Sequence, residues 1–209
     1  MTAPATRRLG VLAALFAVSV WAAWIPVTRL GVVTALSPWD VSVLRFAVAG
    51  LLLAPVLVLR FGQVPWRRVG ALAAMAGGAG VPYMLTFGYG LKVANSGQGA
   101  VLGPGANGAL VALLAFLFLR ERPTGRRVLG LGITLLGVGY VLAHDIALGG
   151  VRIEGFLLIL AASLCWATYT VASRTLQLDP VLSTAVVCVT NAVLLIPAYF
   201  AFGGGAALL

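Results

Sequence analysis

The fold is decided by the stretch WAAWIPVTR, residues 21–29, because a related stretch, WATYTVASR, follows at residues 166–174. Four positions recur at a constant offset of 145 residues: a tryptophan, an alanine, a second aromatic residue and an arginine. After a loop shorter by three residues, two prolines recur at an offset of 142, which pairs Pro38 with Pro180 and Pro55 with Pro197. The chain is therefore expected to contain an internal repeat that links residues 21–55 with residues 166–197.

The composition predicts an integral membrane protein. Hydrophobic residues make up 61% of the 209 residues, charged residues only 9%, and the mean hydropathy is +1.07. A soluble core of this size cannot hide so much apolar surface, whereas a bilayer accommodates it in helices of about 20 residues. The net charge of +9 does not indicate a nucleic-acid partner, because the basic residues form short clusters between apolar runs.

The apolar runs predict an all-α bundle of seven membrane-spanning helices. By residue number these are 9–30, 38–59, 69–92, 98–119, 127–144, 155–176 and 181–203. We expect residues 1–150 to form a first repeat of five helices. Residues 151–209 are expected to form an incomplete second repeat of two helices, which lacks the counterpart of residues 68–145.

The basic residues predict the orientation of these helices. With the N-terminus in the cytoplasm, ten lysine and arginine residues lie on the cytoplasmic side, and only Arg29, Lys92 and Arg152 lie outside. Because five helices is an odd number, the second repeat enters the cytoplasmic membrane from the opposite side. Such an inverted repeat is typical of secondary transporters, which alternate access to a site near the middle of the membrane.

Aromatic and hydroxyl side chains form a matching stripe in both repeats. Trp21, Trp24 and Thr28 share one helical face, and Trp166 and Tyr169 occupy the same face of the second copy. The stripe has two interpretations. Aromatic rings near helix ends form belts at the membrane surface, but rings one to two turns deep in both repeats also suit a cavity between the repeats.

Several polar residues lie inside the predicted spans. Arg45 is either a functional charge or a structural one that extends outward to Asp40 or the lipid headgroups. Three further polar side chains either line a cavity or form hydrogen bonds between helices, namely Tyr83, Gln98 and Asn107. Pro82 and Pro104, set among glycines, are the candidates for breaks in cavity-lining helices.

No catalytic pattern accompanies these residues. The five acidic side chains lie at predicted helix ends or in loops, and the single histidine, His144, ends a helix. We find no nucleophile–base pair, metal-ligand cluster or cofactor motif, so an enzyme is disfavoured and no cofactor or metal is expected. Cys165 and Cys188 lie in apolar runs and are interpreted as packing residues.

The chain resembles the EamA-type permeases of the drug/metabolite transporter superfamily over essentially its whole length. The resemblance rests on residues 21–31, on LRFAVAG at 44–50, on Glu121-Arg122, on the glycines of 130–138 and on residues 165–180. It implies ten helices in two inverted repeats around a central cavity, with Trp21, Trp24, Arg45, Trp166 and Tyr169 at family-motif positions. In one departure, Pro104 lies four residues before the position where the family usually has proline.

Two hypotheses about function follow from the repeat and the resemblance. The first is a secondary transporter, most simply an exporter, of small amino-acid-like or amphipathic drug-like metabolites. Its substrate, coupling ion and direction cannot be read from the chain. The second is a C-terminally truncated, non-transporting fragment or a membrane interaction module. The partner of the incomplete second repeat is then either a second copy of the chain, in a homodimer, or three further C-terminal helices.

Overall fold

A computed structural model describes residues 3–94, 96–147 and 152–201, without the side chains of residues 3–8, 96–98 and 100. The helices are α1 (Ala3–Thr34), α2 (Pro38–Leu59), α3 (Val69–Gly78), α4 (Val81–Val93), α5 (Ser96–Leu119), α6 (Gly125–Ala147), α7 (Ile153–Leu176) and α8 (Pro180–Ala201). Within these residues, seven spans are long and apolar enough to cross a membrane, α3 and α4 together forming one. The predicted all-α membrane bundle is confirmed.

Helices α2 and α8, whose prolines the sequence pairs in the predicted repeat, begin in similar ways. At α2, the Ser37 hydroxyl accepts a hydrogen bond from the N–H of Asp40 (3.2 Å), and the Asp40 carboxylate accepts one from the N–H of Ser37 (2.6 Å). At α8, the Asp179 carboxylate accepts hydrogen bonds from two N–H groups of the first turn, both at 3.1 Å. A proline follows each cap residue, in the position that needs no N–H partner.

Helices α2 and α8 run antiparallel to each other along their whole length. Three pairs of residues mark the contact: Asp40 with Tyr199, Gly50 with Ala192, and Arg60 with Asp179. A Cβ atom on Gly50 would lie 2.9 Å from the Ala192 Cβ and 3.2 Å from the Cys188 carbonyl oxygen. The absence of a side chain at Gly50 therefore allows the two helices to cross closely, as small residues do in membranes.

Helix α7 lies at the centre of the bundle, where α3, α4 and α5 pack against it. In its most apolar segment 39% of the residues are buried, compared with 6% for α1 and 0% for α6. Glycines make the close approach possible, since a Cβ on Gly78 would lie 2.6 Å from the Cys165 carbonyl oxygen of α7. Helices α1 and α6 instead leave broad apolar faces exposed.

The third span, Val69–Val93, is broken near its middle. Helix α3 ends at Gly78 and α4 begins at Val81, so Pro82 lies in the first turn of the new helix. Asn191 of α8 satisfies the freed backbone: its Oδ1 accepts from the N–H of Val81 (2.9 Å) and its Nδ2 donates to the carbonyl of Ala76 (2.9 Å). Because no water is available at this depth, such a break requires a side chain of this kind.

The break expected at Pro104 is not found, because α5 runs through this proline from Ser96 to Leu119. A membrane helix tolerates proline where neighbouring groups satisfy the backbone around it. Here the Ser163 hydroxyl of α7 donates a hydrogen bond to the carbonyl of Gly103 at 3.2 Å. Pro104 therefore shapes the surface of a continuous helix.

A buried hydrogen bond joins the start of α2 to the end of α8. Tyr199 donates from its hydroxyl to the Asp40 carboxylate, and each residue is only 3% exposed. Tyr199→Phe should lower the free energy of unfolding by about 1.5–3 kcal/mol, the cost of losing a hydrogen bond to a charged group. Thermal unfolding in detergent measures this loss. Tyr140→Phe, at an exposed position on α6, is the control and should change stability by less than about 0.5 kcal/mol.

Candidate functional site

An aromatic cluster lies where α1, α4 and α7 meet. The Trp166 ring of α7 is 6.1 Å from the Trp21 ring of α1, 5.0 Å from the Tyr83 ring of α4 and 5.3 Å from the Tyr169 ring, measured between centroids. Tyr83 in turn stacks on Phe87 at 5.6 Å. Centroid distances of about 4.5–7 Å are typical of favourable aromatic pairs. Two positions matched by the repeat, Trp21 and Trp166, are thus in direct contact.

Four rings of this cluster line a small cavity. The lining residues are Trp21, Trp24, Ile25, Tyr83, Phe87, Gly103, Pro104, Asn107, Ser163 and Trp166. The free volume is about 20 Å³, which is room for about one water molecule. The cavity is therefore small, and any larger ligand requires the helices around it to move apart.

Three buried polar atoms at or beside the cavity have no hydrogen-bond partner within the described residues. They are the indole nitrogen of Trp24, the hydroxyl oxygen of Thr28 and the amide oxygen of Asn107. Leaving such a group unpaired costs about 1–3 kcal/mol, and buried polar groups in proteins almost always find a partner. We therefore expect a water molecule or a polar ligand to form hydrogen bonds with these atoms of α1 and α5.

Arg45 extends into the bundle. Its guanidinium lies 5.0 Å from the centroid of the Trp24 ring, and one of its N–H groups donates to the Met84 sulfur at 3.1 Å. The outward contact with Asp40 that the sequence left open is not made, because Asp40 bonds to Ser37 and Tyr199 instead. Within the described residues, which include all five acidic side chains, Arg45 has no ion pair.

A second, larger space opens beside the break between α3 and α4. We call it the lateral groove; its free volume is about 430 Å³. It is lined by Trp39, Ala73, Ala76, Gly77, Val81, Pro82, Thr190, Asn191, Leu194, Leu195 and Ala198. The walls are almost entirely apolar, and the hydrogen bonds of Asn191 are directed at backbone groups.

The structure brings together most of the residues that the sequence singled out. Six of them line the cavity, namely Trp21, Trp24, Tyr83, Pro104, Asn107 and Trp166. Arg45, Tyr169 and the buried Thr28 lie outside this lining. Arg45 contacts the Trp24 ring, and Tyr169 contacts Trp166. The side chain of Gln98 is outside the described part of the chain.

The sequence reasoning missed four lining residues, Ile25, Phe87, Gly103 and Ser163. Helical spacing could have found two of them: Ser163 is three residues before Trp166, and Phe87 is four residues after Tyr83. It also missed Asn191, which holds the break in the third span. A single asparagine in an apolar run was the available signal, because its amide needs partners in hydrocarbon.

Seven apolar spans, four of which line an aromatic cavity, define the described part of this chain as a multi-pass membrane protein of the helical-bundle class. The family model described as the EamA-like transporter family matches residues 8–143. The chain belongs to this family of membrane transporters, which confirms the resemblance seen in its motifs.

Two curated proteins are similar to the chain. An uncharacterized transporter of Archaeoglobus fulgidus is 28% identical over 167 residues, which cover 78% of this chain and 57% of that protein. The uncharacterized transporter YyaM of Bacillus subtilis is 28% identical over 172 residues, which cover 77% of this chain and 55% of that protein. The chain thus spans little more than half the length of these relatives. No solved structure matches it.

Proposed function

We propose that this chain carries the substrate cavity of a secondary transporter, which moves small amino-acid-like or amphipathic drug-like metabolites across the cytoplasmic membrane. The observation that carries the proposal is the small aromatic cavity with unpaired polar atoms at or beside it. It lies where α1 meets α7, the helix equivalent to α1 in the repeat. We infer export, with the N-terminus in the cytoplasm; the direction rests on the family resemblance and the orientation on the basic residues.

The contacts between repeat-equivalent residues support two inverted repeats, residues 1–150 and 151–209. Gly50 touches Ala192, its equivalent at the offset of 142, and Trp21 touches Trp166, its equivalent at 145. Contacts between equivalent residues are expected along a twofold axis. The antiparallel course of α2 and α8 is what an axis in the membrane plane would produce.

The same geometry suggests how access would alternate. With room for about one water, the observed cavity fits an occluded state between an inward-open and an outward-open one. Rocking of α7 and α8 against α1 and α2 would open the cavity on one side. The lateral groove beside the break at Gly78–Val81 provides space for α4 to move during this step.

A second candidate is a non-transporting fragment or membrane interaction module. It is favoured by α1, whose apolar segment is 6% buried although that of its equivalent, α7, is 39% buried. The exposed face would then bind further helices or a second copy of the chain.

We propose a transporter and not an enzyme, because the cavity lining offers no nucleophile–base pair among the described residues.

Flux measurements with the reconstituted 209-residue chain test the transporter proposal. Proteoliposomes should take up or release at least one member of a panel of radiolabelled amino acids and amphipathic drugs. Trp166→Leu should lower that flux by about tenfold or more, because the ring that bridges the aromatic cluster is lost. Trp66→Leu, outside the cavity at an exposed turn, should leave flux within about twofold.

Each variant must first show a helical circular-dichroism spectrum and a melting temperature close to that of the wild type. If folded wild-type protein moves no compound of the panel in either direction, the transporter proposal fails. Cross-linking in liposomes would then tell whether the chain associates through α1.

A further inference from the structure

We propose that a site beside the cavity, between Arg45, Trp24 and Thr28, receives the carboxylate of a small anionic ligand, with the apolar body of the ligand in the cavity against the aromatic cluster. This inference rests on the proposed function, because it specifies the substrate class of the same cavity. It also excludes lipophilic cations as ligands of this site.

The first argument is the unneutralised charge of Arg45. This guanidinium lies within the second span, and its contacts include the Trp24 ring at 5.0 Å, the Phe46 ring at 5.9 Å and the Met84 sulfur at 3.1 Å. All three are weak partners for a cation compared with a carboxylate. A charge at this depth normally has a partner or a function.

The protein's own carboxylates are engaged or located elsewhere. Asp40 is bonded to Ser37 and Tyr199, Glu121 pairs with Arg174 at 3.2 Å, and Asp179 pairs with Arg60 at 3.2 Å. Glu154 lies exposed in the first turn of α7, and Asp145 lies beside His144 near the end of α6. The counter-charge for Arg45 must therefore come from outside the described residues, and a bound ligand can supply it.

The second argument is the kind of hydrogen bond that the site lacks. The indole N–H of Trp24 can only donate, and the hydroxyl of Thr28, one turn further along α1, also has a proton to donate. Both groups are buried and unpaired. A carboxylate offers two oxygens with about four acceptor positions, so one such group could accept from Trp24, Thr28 and Arg45 together.

The third argument concerns selectivity against cations. Aromatic cages usually favour organic cations, which lie over the ring faces. Here the Arg45 guanidinium already lies close to the Trp24 ring, and it repels a second positive charge strongly where water is excluded. The described cavity lining contains no acidic residue that could offset this repulsion.

Three probes that share one phenylpropyl skeleton test the inference: 3-phenylpropionate, 3-phenylpropanamide and 3-phenylpropylamine. Near neutral pH they are an anion, a neutral molecule and a cation, and their apolar parts are nearly the same. Binding is measured by calorimetry in nanodiscs of zwitterionic lipid, with empty nanodiscs subtracted to correct for partitioning. The acid should bind at least about tenfold more tightly than the amide, and the amine should bind most weakly.

Variants then assign the preference to particular residues. Arg45→Gln should bring the affinities for acid and amide within about twofold of each other, while Arg45→Lys should keep a reduced preference for the acid. Thr28→Val should weaken the binding of the acid more than the binding of the amide. Lys92→Gln removes a charge at the exposed end of α4 and is the matched control, with no expected change. If Arg45→Gln does not fold, Arg45→Lys and Thr28→Val still decide the question.

The outcomes separate this inference from the proposed function. Selective binding of the acid that depends on Arg45, without flux of any compound, would contradict the transporter and support the anion site. Flux combined with equal or tighter binding of the amine would contradict the anion site only, as would failure of all three probes to bind. If phosphatidylglycerol in the nanodiscs abolishes binding of the acid, a lipid headgroup is the occupant and the small-acid assignment is wrong.

Discussion

Gly78→Ala should lower the melting temperature of the detergent-solubilised protein by about 4–12 °C, equivalent to about 2–3 kcal/mol of unfolding free energy. The added Cβ would lie 2.6 Å from the Cys165 carbonyl oxygen and 2.6 Å from the Tyr169 backbone nitrogen. Both are backbone atoms of α7, so no side-chain rotation relieves the overlap, and α3 must move away from the central helix. Intrinsic tryptophan fluorescence during heating measures the change, since Trp166 lies on the same helix.

The neighbouring residue provides the control for this substitution. A Cβ on Gly77 would meet no atom within 4 Å. Gly77→Ala therefore keeps the contact and gains helix propensity, for an expected increase in stability of up to about 1 kcal/mol. Equal melting temperatures for the two variants would show that the close approach of α3 to α7 does not contribute to stability.

The spans could be predicted from the sequence because their causes are local. Whether a run of residues is apolar and long enough to span a membrane depends only on neighbouring residues. The predicted span 38–59 coincides with α2 (Pro38–Leu59), and α7 (Ile153–Leu176) begins two residues before its predicted start. The first helix, expected at 9–30, extends further at both ends, to Ala3–Thr34.

The breaks could not be placed reliably, because a proline permits a break without requiring it. Pro82 and Pro104 have similar glycine-rich surroundings in the sequence, yet only the span that contains Pro82 is interrupted. The difference lies in the partner helix. Asn191 offers an amide to the open backbone beside Pro82, whereas Ser163 bonds to the carbonyl of Gly103 beside a continuous helix.

The candidate site was predictable as a set of residues but not as an arrangement. The sequence similarity between residues 21–29 and 166–174 and the helical periodicity select Trp21, Trp24 and Trp166, because equivalent faces would face each other in the inverted repeat that we predict. No sequence pattern predicts that the Arg45 guanidinium lies over the Trp24 ring, or that the Asp40 carboxylate accepts a hydrogen bond from Tyr199. Those contacts depend on the rotation of each helix about its axis, which packing of the whole bundle determines.

The other large expected effect is the loss of the side chain that holds the broken span. Asn191→Leu, a change to an apolar residue of similar size, should lower the free energy of unfolding by about 3–5 kcal/mol. It removes the hydrogen bonds to Val81, Ala76 and Val187, at 2.9, 2.9 and 2.8 Å. Loss of the hydrogen bonds to Val81 and Ala76 leaves one N–H and one carbonyl without a partner inside the membrane. Each unpaired group costs about 1–3 kcal/mol of unfolding free energy.

Thr190→Val is the matched control for Asn191→Leu, because Thr190 is the preceding residue on α8 and lines the same lateral groove. It replaces a polar residue by an apolar one of similar shape without affecting the break, so the melting temperature should change by less than about 2 °C.

Hydrogen exchange of the Val81 amide offers a direct readout of the break between α3 and α4. Asn191→Leu should accelerate this exchange relative to amides in the middle of α7, because local opening at the break becomes easier. Unchanged exchange at Val81 would mean that Asn191 fills space on α8 and that packing against α7, through Gly78, holds the break by itself.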